Sequence, residues 1–274
     1  MNDLTVIDAA EQQRLKEMMG VTVDSNSGTE RVPMLKINTD TEDDEGNEIR
    51  PGTIYLRDNE PLAYAKEFKL RVLGQHYQYI EYNPELNKTV CKTTINQSLM
   101  KKHDFLDTRG TRKCGMTKPK SQMEDYEKQR FQNVTCFRQL RGLVSYEGTD
   151  KHGNPATIEN QPAILLLKGS NFMPFEEEVI KRLPKGSTFW DFWLNVSLER
   201  RKTGSVVYYV MHFDFDPSDV QTFDTKTAET VRAFADMVDR ENERILKAHK
   251  EATSARTSGD YEVAEYEDLD SDLV

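Results

Sequence analysis

Cysteine is scarce in this chain. Only Cys91, Cys114 and Cys136 occur among 274 residues, and none of them form the close pair that marks a structural zinc knuckle. An odd, widely spaced set argues for reduced thiols and against a disulfide framework. Histidine is sparse as well, five in all, and no H-E-x-x-H motif occurs. Long apolar runs are missing: nothing approaches the roughly 18–20 residues of a membrane span. The start, MNDLTVIDAAEQQRLKEMM, has neither the basic head nor the apolar stretch of a secretory leader. These absences lead us to expect a cytoplasmic protein with no membrane association. No Walker A loop, G-x-G-x-x-G or G-x-S-x-G motif is present, which removes the common nucleotide-binding and hydrolase signatures.

What the chain does hold is a core. Apolar residues make up 36% and charged residues 31%, with 12 Phe, 11 Tyr and 2 Trp. The aromatic and β-branched residues fall in runs, so a wholly disordered chain is excluded.

The formal charge of -10 hides an asymmetry. From Asp260 to Val274 there are seven acids and no Lys or Arg, leaving 37 basic against 40 acidic residues elsewhere. A second acidic block spans Asp40 to Glu48. Between them, Lys88 to Arg141 carries 13 Lys and Arg against 5 Asp and Glu. Such separation within one chain points to a polyanion-binding face and an acidic tail.

The patterns predict a short amphipathic helix over about Val6 to Met19 and a linker to residue 30. A strand VPMLKIN, an acidic loop and a turn at Pro51-Gly52 follow. In FKLRVLGQHYQYIEY, Leu70, Val72, Tyr77 and Tyr79 share one face, with Tyr82 opposite. Asn83 to Asn87 turns the chain into KTVCKTTI. Residues 96–130 show no period and read as a long basic loop with one helical turn at most. Further strands are FQNVTCFRQLRGLVSYEG and PAILLLKGS, joined by a turn at 151–155. One short helix over 174–185 follows. Next comes a hairpin through Trp190 and Trp193, with its turn at Arg200 to Gly204. From Thr225 to about Ala252, Val231, Phe234, Val238, Ile245 and Leu246 lie on one helical face. Asp224 or Thr225 is the expected N-cap. The expected class is mainly β or α+β, an elaborated barrel in residues 31–252, with a flexible acidic tail over 253–274.

Several constellations bear on chemistry. The block Asp40 to Glu48 fails calcium-loop spacing, because Glu45 stands where glycine is needed. Asp214 and Asp216, two apart at a strand end, share a face and are the residues a divalent metal would use in a nuclease. Cys91, His103, Cys114 and Cys136 offer four zinc donors without the usual spacing, so neither metal nor other cofactor is expected. The basic residues carry more. Lys88, Lys92, Lys101, Lys102, Arg109, Arg112, Lys113, Lys118 and Lys120 lie in the first hairpin and its loop, Arg138 follows, and Arg200, Arg201 and Lys202 crown the second hairpin. Tyr77, Tyr79, Tyr82, Phe131, Phe137, Tyr208 and Tyr209 interleave on the strands. Cations to neutralise phosphates and rings to stack on bases are what a single-strand binder needs. Half-buried strands carry aromatics for packing as well. In the tail, Glu265, Glu267, Asp268, Asp270, Asp272, Leu273 and Val274 form an acidic stretch with an apolar end, suited to a basic pocket on a partner.

The layout resembles the single-stranded DNA-binding proteins of tailed bacteriophages. The resemblance rests on VPMLKIN, EDDEGNEIRPGTIYL, RGLVSYEG, PAILLLKGSNF and FWLNVSLERRKTGSVVYYV. It implies an OB barrel, a C-terminal helix and an acidic tail. It implies a non-enzymatic role in phage DNA replication or recombination, in the cytoplasm of the infected bacterial host. The implied partners are single-stranded DNA and, through the tail, a polymerase, helicase or recombinase. Where the family's best-known members end in Phe, this chain ends in Leu273-Val274. A homodimer stays open beside a monomer. A structural assembly protein and the Asp214/Asp216 nuclease are the alternative readings.

Overall fold

Alternating burial builds the sheet. The computed structural model describes residues 32–42, 49–57, 61–99 and 104–258. The chain divides into residues 1–32 and 33–274, and every element described belongs to the second unit. The expected N-terminal helix, most of the acidic loop, Lys101, Lys102, His103 and residues 259–274 of the expected tail lie outside the described residues.

The strands are β1 (Met34–Ile37), β2 (Ile54–Arg57), β3 (Pro61–Ala65), β4 (Glu67–Asn83), β5 (Lys88–Lys92), β6 (Val134–Thr149), β7 (Pro155–Leu167), β8 (Leu194–Thr203) and β9 (Val206–Asp214). They form one nine-stranded sheet in the order β3-β2-β1-β7-β6-β4-β8-β9, with β5 beside β4. The stretch β7-β6-β4-β8-β9 is antiparallel throughout, whereas β1 joins β7 in parallel. A bridge between Tyr64 and Thr149 brings β3 back to β6.

Side chains on one face alternate with those on the other. Leu70, Val72, Leu140, Val144, Leu165, Leu194, Val196, Met211 and Phe213 therefore make one buried core, joined by Leu35, Ile54 and Leu56. In β4 the inward parity changes from even to odd numbers. A register shift between Val72 and Gly74 inserts the extra residue. This bulge keeps Tyr77 and Tyr79 on the side of Leu70 and Val72.

The sheet is not a closed barrel, because β7 and β9 do not pair. Side chains after β7 occupy the edge of β9 instead. Asn171 accepts from the Met211 N–H at 2.6 Å and donates to the Tyr209 carbonyl at 3.0 Å. Glu178 accepts from the Phe213 N–H at 2.7 Å. These groups satisfy an edge that would otherwise invite pairing.

Other expectations shift. The single helix over 174–185 is a π-helical turn, Phe175–Val179, running into a 3-10 turn, Ile180–Arg182. Trp190 lies in a 3-10 turn, Phe189–Asp191, so the two tryptophans do not share a strand. There Trp190 packs against Phe223, ring centres 5.5 Å apart. β6 begins at Val134 and not at Phe131. The second hairpin turns at Gly204-Ser205, between the paired Thr203 and Val206, and Gly204 takes φ +60. Two-residue turns of this kind favour left-handed residues. Arg200, Arg201 and Lys202 thus belong to strand β8.

The long loop, expected to hold one helical turn at most, holds two 3-10 turns, Lys113–Gly115 and Lys120–Gln122, and a short helix, α1 (Asp125–Arg130). Helix α2 (Thr225–Ser258) opens on Asp224, whose carboxylate accepts from the Thr227 N–H at 2.8 Å. It buries Phe234, Val238 and Ile245, as the 3.6-residue period requires. It continues past the expected end near 252, and Gly110 packs on Thr253 there. Among the described residues no helix is long and apolar enough to cross a membrane.

Candidate nucleic-acid interface

Between β4 and β6 the chain makes a long excursion that carries most of the candidate cations. Asp107, fully buried, organises it. One carboxylate oxygen accepts from the Arg109 and Thr111 N–H groups at 3.0 and 2.9 Å. The other accepts from the Cys114 N–H at 2.9 Å and the Thr111 hydroxyl at 2.5 Å. The Asp107 carbonyl meets His249 Nδ1 of α2 at 2.9 Å. Lys113, Cys114 and Gly115 take φ of +51, +55 and +86, three left-handed residues in succession. That turn folds Cys114 back onto β5 and into a small core with Cys91, Met116, Met123 and Val134.

Cys91, Asp107 and Cys114 have donor atoms within 4.8 Å of one another, all buried, and form the one such metal-capable group found among the described residues. The hydrogen bond between the thiols lowers Cys91 and, together with burial, raises Cys114. The Asp107 oxygens already accept four hydrogen bonds, so the group locks the excursion in place. Cys136 stands apart beside Tyr79, its thiol pushed up to about 11 by burial. It is therefore neutral at pH 7. The sequence pointed to the thiols but not to Asp107, which lies in no recognisable motif.

The core face of β4 and β6 continues upward beneath this excursion. Tyr79 packs edge-on against Phe105, ring centres 5.0 Å apart, and the Lys113 ammonium stands 6.0 Å from the Tyr79 ring. Next along β4, buried Tyr77 lies 6.0 Å from Phe172. Arg138, paired with Tyr77 across the strands, is held among Tyr77, Phe172 and Phe175 at 5.5, 5.0 and 5.7 Å. Phe172 follows Asn171, which grips β9 at Tyr209. Tyr209 pairs with Arg200, so both point to the same face. Lys113, Tyr79, Tyr77 and Phe172 thus follow one another in a line, while Tyr209, whose ring lies against Gly52, and its partner Arg200 lie beyond Asn171. Beside Phe172, Met173 is 46% exposed.

The candidate cations divide sharply. Lys92 pairs with Glu241, Arg109 with Glu81 at 2.8 Å, Arg112 with Asp104 at 3.4 Å and Lys118 with Glu127 at 2.7 Å. Arg201 turns to the other face and pairs with Glu199 at 2.7 Å. Lys120 donates to the Gln132 carbonyl at 3.1 Å. Arg138 is 3% exposed, with Nη2 on Glu176 at 3.1 Å and two guanidinium nitrogens without a partner. Lys88, Lys113, Arg200 and Lys202 make no ion pair among the described residues. Tyr82 is 43% exposed but lies away from this line, its hydroxyl on Asn87. Phe131 closes the small core, under the Arg130 guanidinium at 5.4 Å. Phe172, which no pattern distinguished, belongs to the line.

Asp214 and Asp216 each meet a partner within the chain. Asp214 meets Arg182 at 3.2 Å. Asp216 accepts from Ser218 N–H and hydroxyl at 2.8 and 2.6 Å, which lowers its pKa. Asp216 is thus a turn-stabilising carboxylate, whereas Asp214 ends β9 in an exposed ion pair.

The chain matches no family model, no curated protein and no solved structure.

Proposed function

We propose that the protein binds single-stranded DNA without reacting with it, along a path from Lys113 to Arg200. The observation that carries this reading is the row of Lys113, Tyr79, Tyr77 and Phe172, whose neighbour Asn171 grips β9 opposite Arg200. Lys113, Arg200 and Lys202 lack carboxylate partners among the described residues. Tyr79, Phe172 and Tyr209 are each partly exposed beside them. Cations along a backbone and rings under bases give binding that tolerates any sequence.

The strand order supports the same reading. The path β7-β6-β4-β8-β9, with a helical turn between β7 and β8, follows the order of an OB fold. In that fold the loops joining strands 1–2 and 4–5 flank the oligonucleotide. Their counterparts here are the excursion over 84–133 and the β8-β9 hairpin. On this reading Asn171 and Glu178 stand in for the missing ladder between β7 and β9. The acidic tail recruits a replication or recombination protein and competes for the same cations. A role in phage DNA replication follows from the resemblance noted above.

The test is anisotropy of labelled oligo(dT) on the full chain across a salt series. Steep loss of affinity with salt is expected. The slope becomes shallower by about 0.7 for each phosphate contact removed by Lys113→Gln, Arg200→Gln or Lys202→Gln. A chain ended after Gly259 binds tighter. If the full chain fails to bind at low salt, the proposal is wrong and the assembly-protein reading takes its place.

A further inference from the structure

The outer surface of the sheet is unevenly covered. Helix α2 and the segment leading into it lie over the outward side chains of β4 and β6: Arg71 reaches the Thr222 carbonyl, just before the helix, at 2.9 Å, and Arg141 faces Glu241 of the helix. On the far side of β7 no helix of the described residues lies over the sheet. Leu35, Ile54, Leu56 and Leu165 point into the core. Lys36, Tyr55, Arg57 and Leu166 therefore point outward.

The register sets cations of like sign side by side there. Met34 pairs with Arg57 and Lys36 with Tyr55, which makes Lys36 and Arg57 diagonal neighbours on one face. Like charges so placed repel and weaken a sheet unless an anion joins them. None of the described carboxylates pairs with either. Burial and the Arg57 charge both lower the Lys36 pKa. Tyr55, partly exposed, flanks the pair and packs on buried Tyr64, ring centres 5.4 Å apart. Toward β6, Lys168 stands over Phe137 at 5.7 Å, also without a carboxylate. Lys168 immediately follows β7, in the same segment that delivers Phe172 to the path described above.

We propose that the outer face of β7, β1 and β2 is a second single-strand-binding surface, onto which a strand leaving that path continues past Lys168 and Phe137 to Lys36, Tyr55 and Arg57. The inference rests on the single-strand-binding reading of the first path. The first path lies on the core face, so the bound strand reaches the outer face around the end of β7 at Lys168; from β6 to β2 there are then three inter-strand steps, about 14 Å in all at about 4.8 Å each. A short oligonucleotide fills only the first path, whereas a long one occupies both.

The test compares oligo(dT) of about 8 and about 30 nucleotides on the full chain, the Lys36→Gln/Arg57→Gln double variant and the Lys113→Gln variant. The double variant relieves a like-charge contact, so it keeps or raises the melting temperature. Its affinity for the long oligonucleotide is expected to fall roughly tenfold, with a salt slope shallower by about 1.4 for two lost phosphate contacts. Its affinity for the short one stays unchanged. Lys113→Gln weakens both. If the double variant binds the long oligonucleotide like the parent while Lys113→Gln weakens it, the second surface is refuted and the first path stands. If the parent binds neither length, both readings fall.

Discussion

The side-chain amide of Asn242 clamps both backbone groups of Ile95. It accepts from the Ile95 N–H at 2.6 Å and donates to the Ile95 carbonyl at 3.0 Å. One residue of α2 thereby replaces a strand neighbour for the segment following β5, where a lost partner would leave buried backbone groups unsatisfied. Asn242→Ala should cost about 1–3 kcal/mol. Urea unfolding measures it, and protease cleavage within residues 96–130 should rise in parallel.

Asp107 holds the excursion from inside. Asp107→Ala strands four donors, and the expected loss is about 3 kcal/mol or more. Asp107→Asn keeps two acceptor lone pairs and should lose less. Thiol labelling reports the local effect: Cys91 and Cys114, both buried, should react slowly in the parent and quickly in Asp107→Ala. Equal labelling rates would show that Asp107 does not hold this loop shut.

Arg138 separates packing from contact. Its guanidinium is buried among three rings, while Glu176 remains partly exposed. Replacing a buried ion pair by apolar groups is often neutral or stabilising, and removing one partner is costly only where the other is left buried, which the partly exposed Glu176 is not. Arg138→Met should therefore stay within about 1 kcal/mol of the parent in urea unfolding. Its oligo(dT) salt slope should match the parent, unlike those of Lys113→Gln and Arg200→Gln. A shallower slope for Arg138→Met would show that a phosphate reaches the guanidinium.

His76 makes stability fall toward acid. Burial, and then the Arg141 charge, push its pKa down to about 4, and Arg141 Nη1 lies 3.4 Å from Nδ1, a place for a neutral imidazole. The folded pKa lies below the unfolded value of 6.5. The unfolded chain therefore takes a proton first as pH falls. Stability is unaffected above about pH 6.5 and declines between 6.5 and 4, by about 3 kcal/mol at most. His76→Gln should flatten that part of the stability–pH curve. NMR titration of the ring should show no protonation above about pH 5.

His212 works in the opposite direction. Its two ring nitrogens lie 2.9 Å from Glu178 and 2.8 Å from Glu199. The hydrogen bond to Glu178, and then that to Glu199, raise its pKa. The folded pKa exceeds the unfolded one, so this contribution is complete below about pH 6.5 and is lost as pH climbs through the raised value. The ring is partly exposed, and the effect is correspondingly modest. His212→Gln should lower the melting temperature at pH 6 and leave it nearly unchanged at pH 9.

Much of this architecture was legible in the chain itself. Runs of aromatic and β-branched residues bounded by turn signals mark β4, β6, β7, β8 and β9, with period-two alternation in β4. Phe234, Val238 and Ile245 mark α2 by their 3.6-residue spacing, and Asp224 its start. The clustering of cations between Lys88 and Arg141 is also a property of sequence alone. Whether a given cation is available to a ligand is not: Lys92, Arg109, Arg112 and Lys118 each met a carboxylate that folding carried to them. Two of these pairings, Lys92 with Glu241 and Arg109 with Glu81, join segments far apart in the chain, and the other two depend on how the loop closes on itself, which no periodic pattern encodes. The same holds for the bulge at Val72–Gly74, for the capture of the β9 edge by Asn171, and for the meeting of Lys36 with Arg57. Local periodicity determined the elements, whereas the tertiary packing decided which charges remain for a partner, because only packing sets who stands within hydrogen-bonding reach of whom.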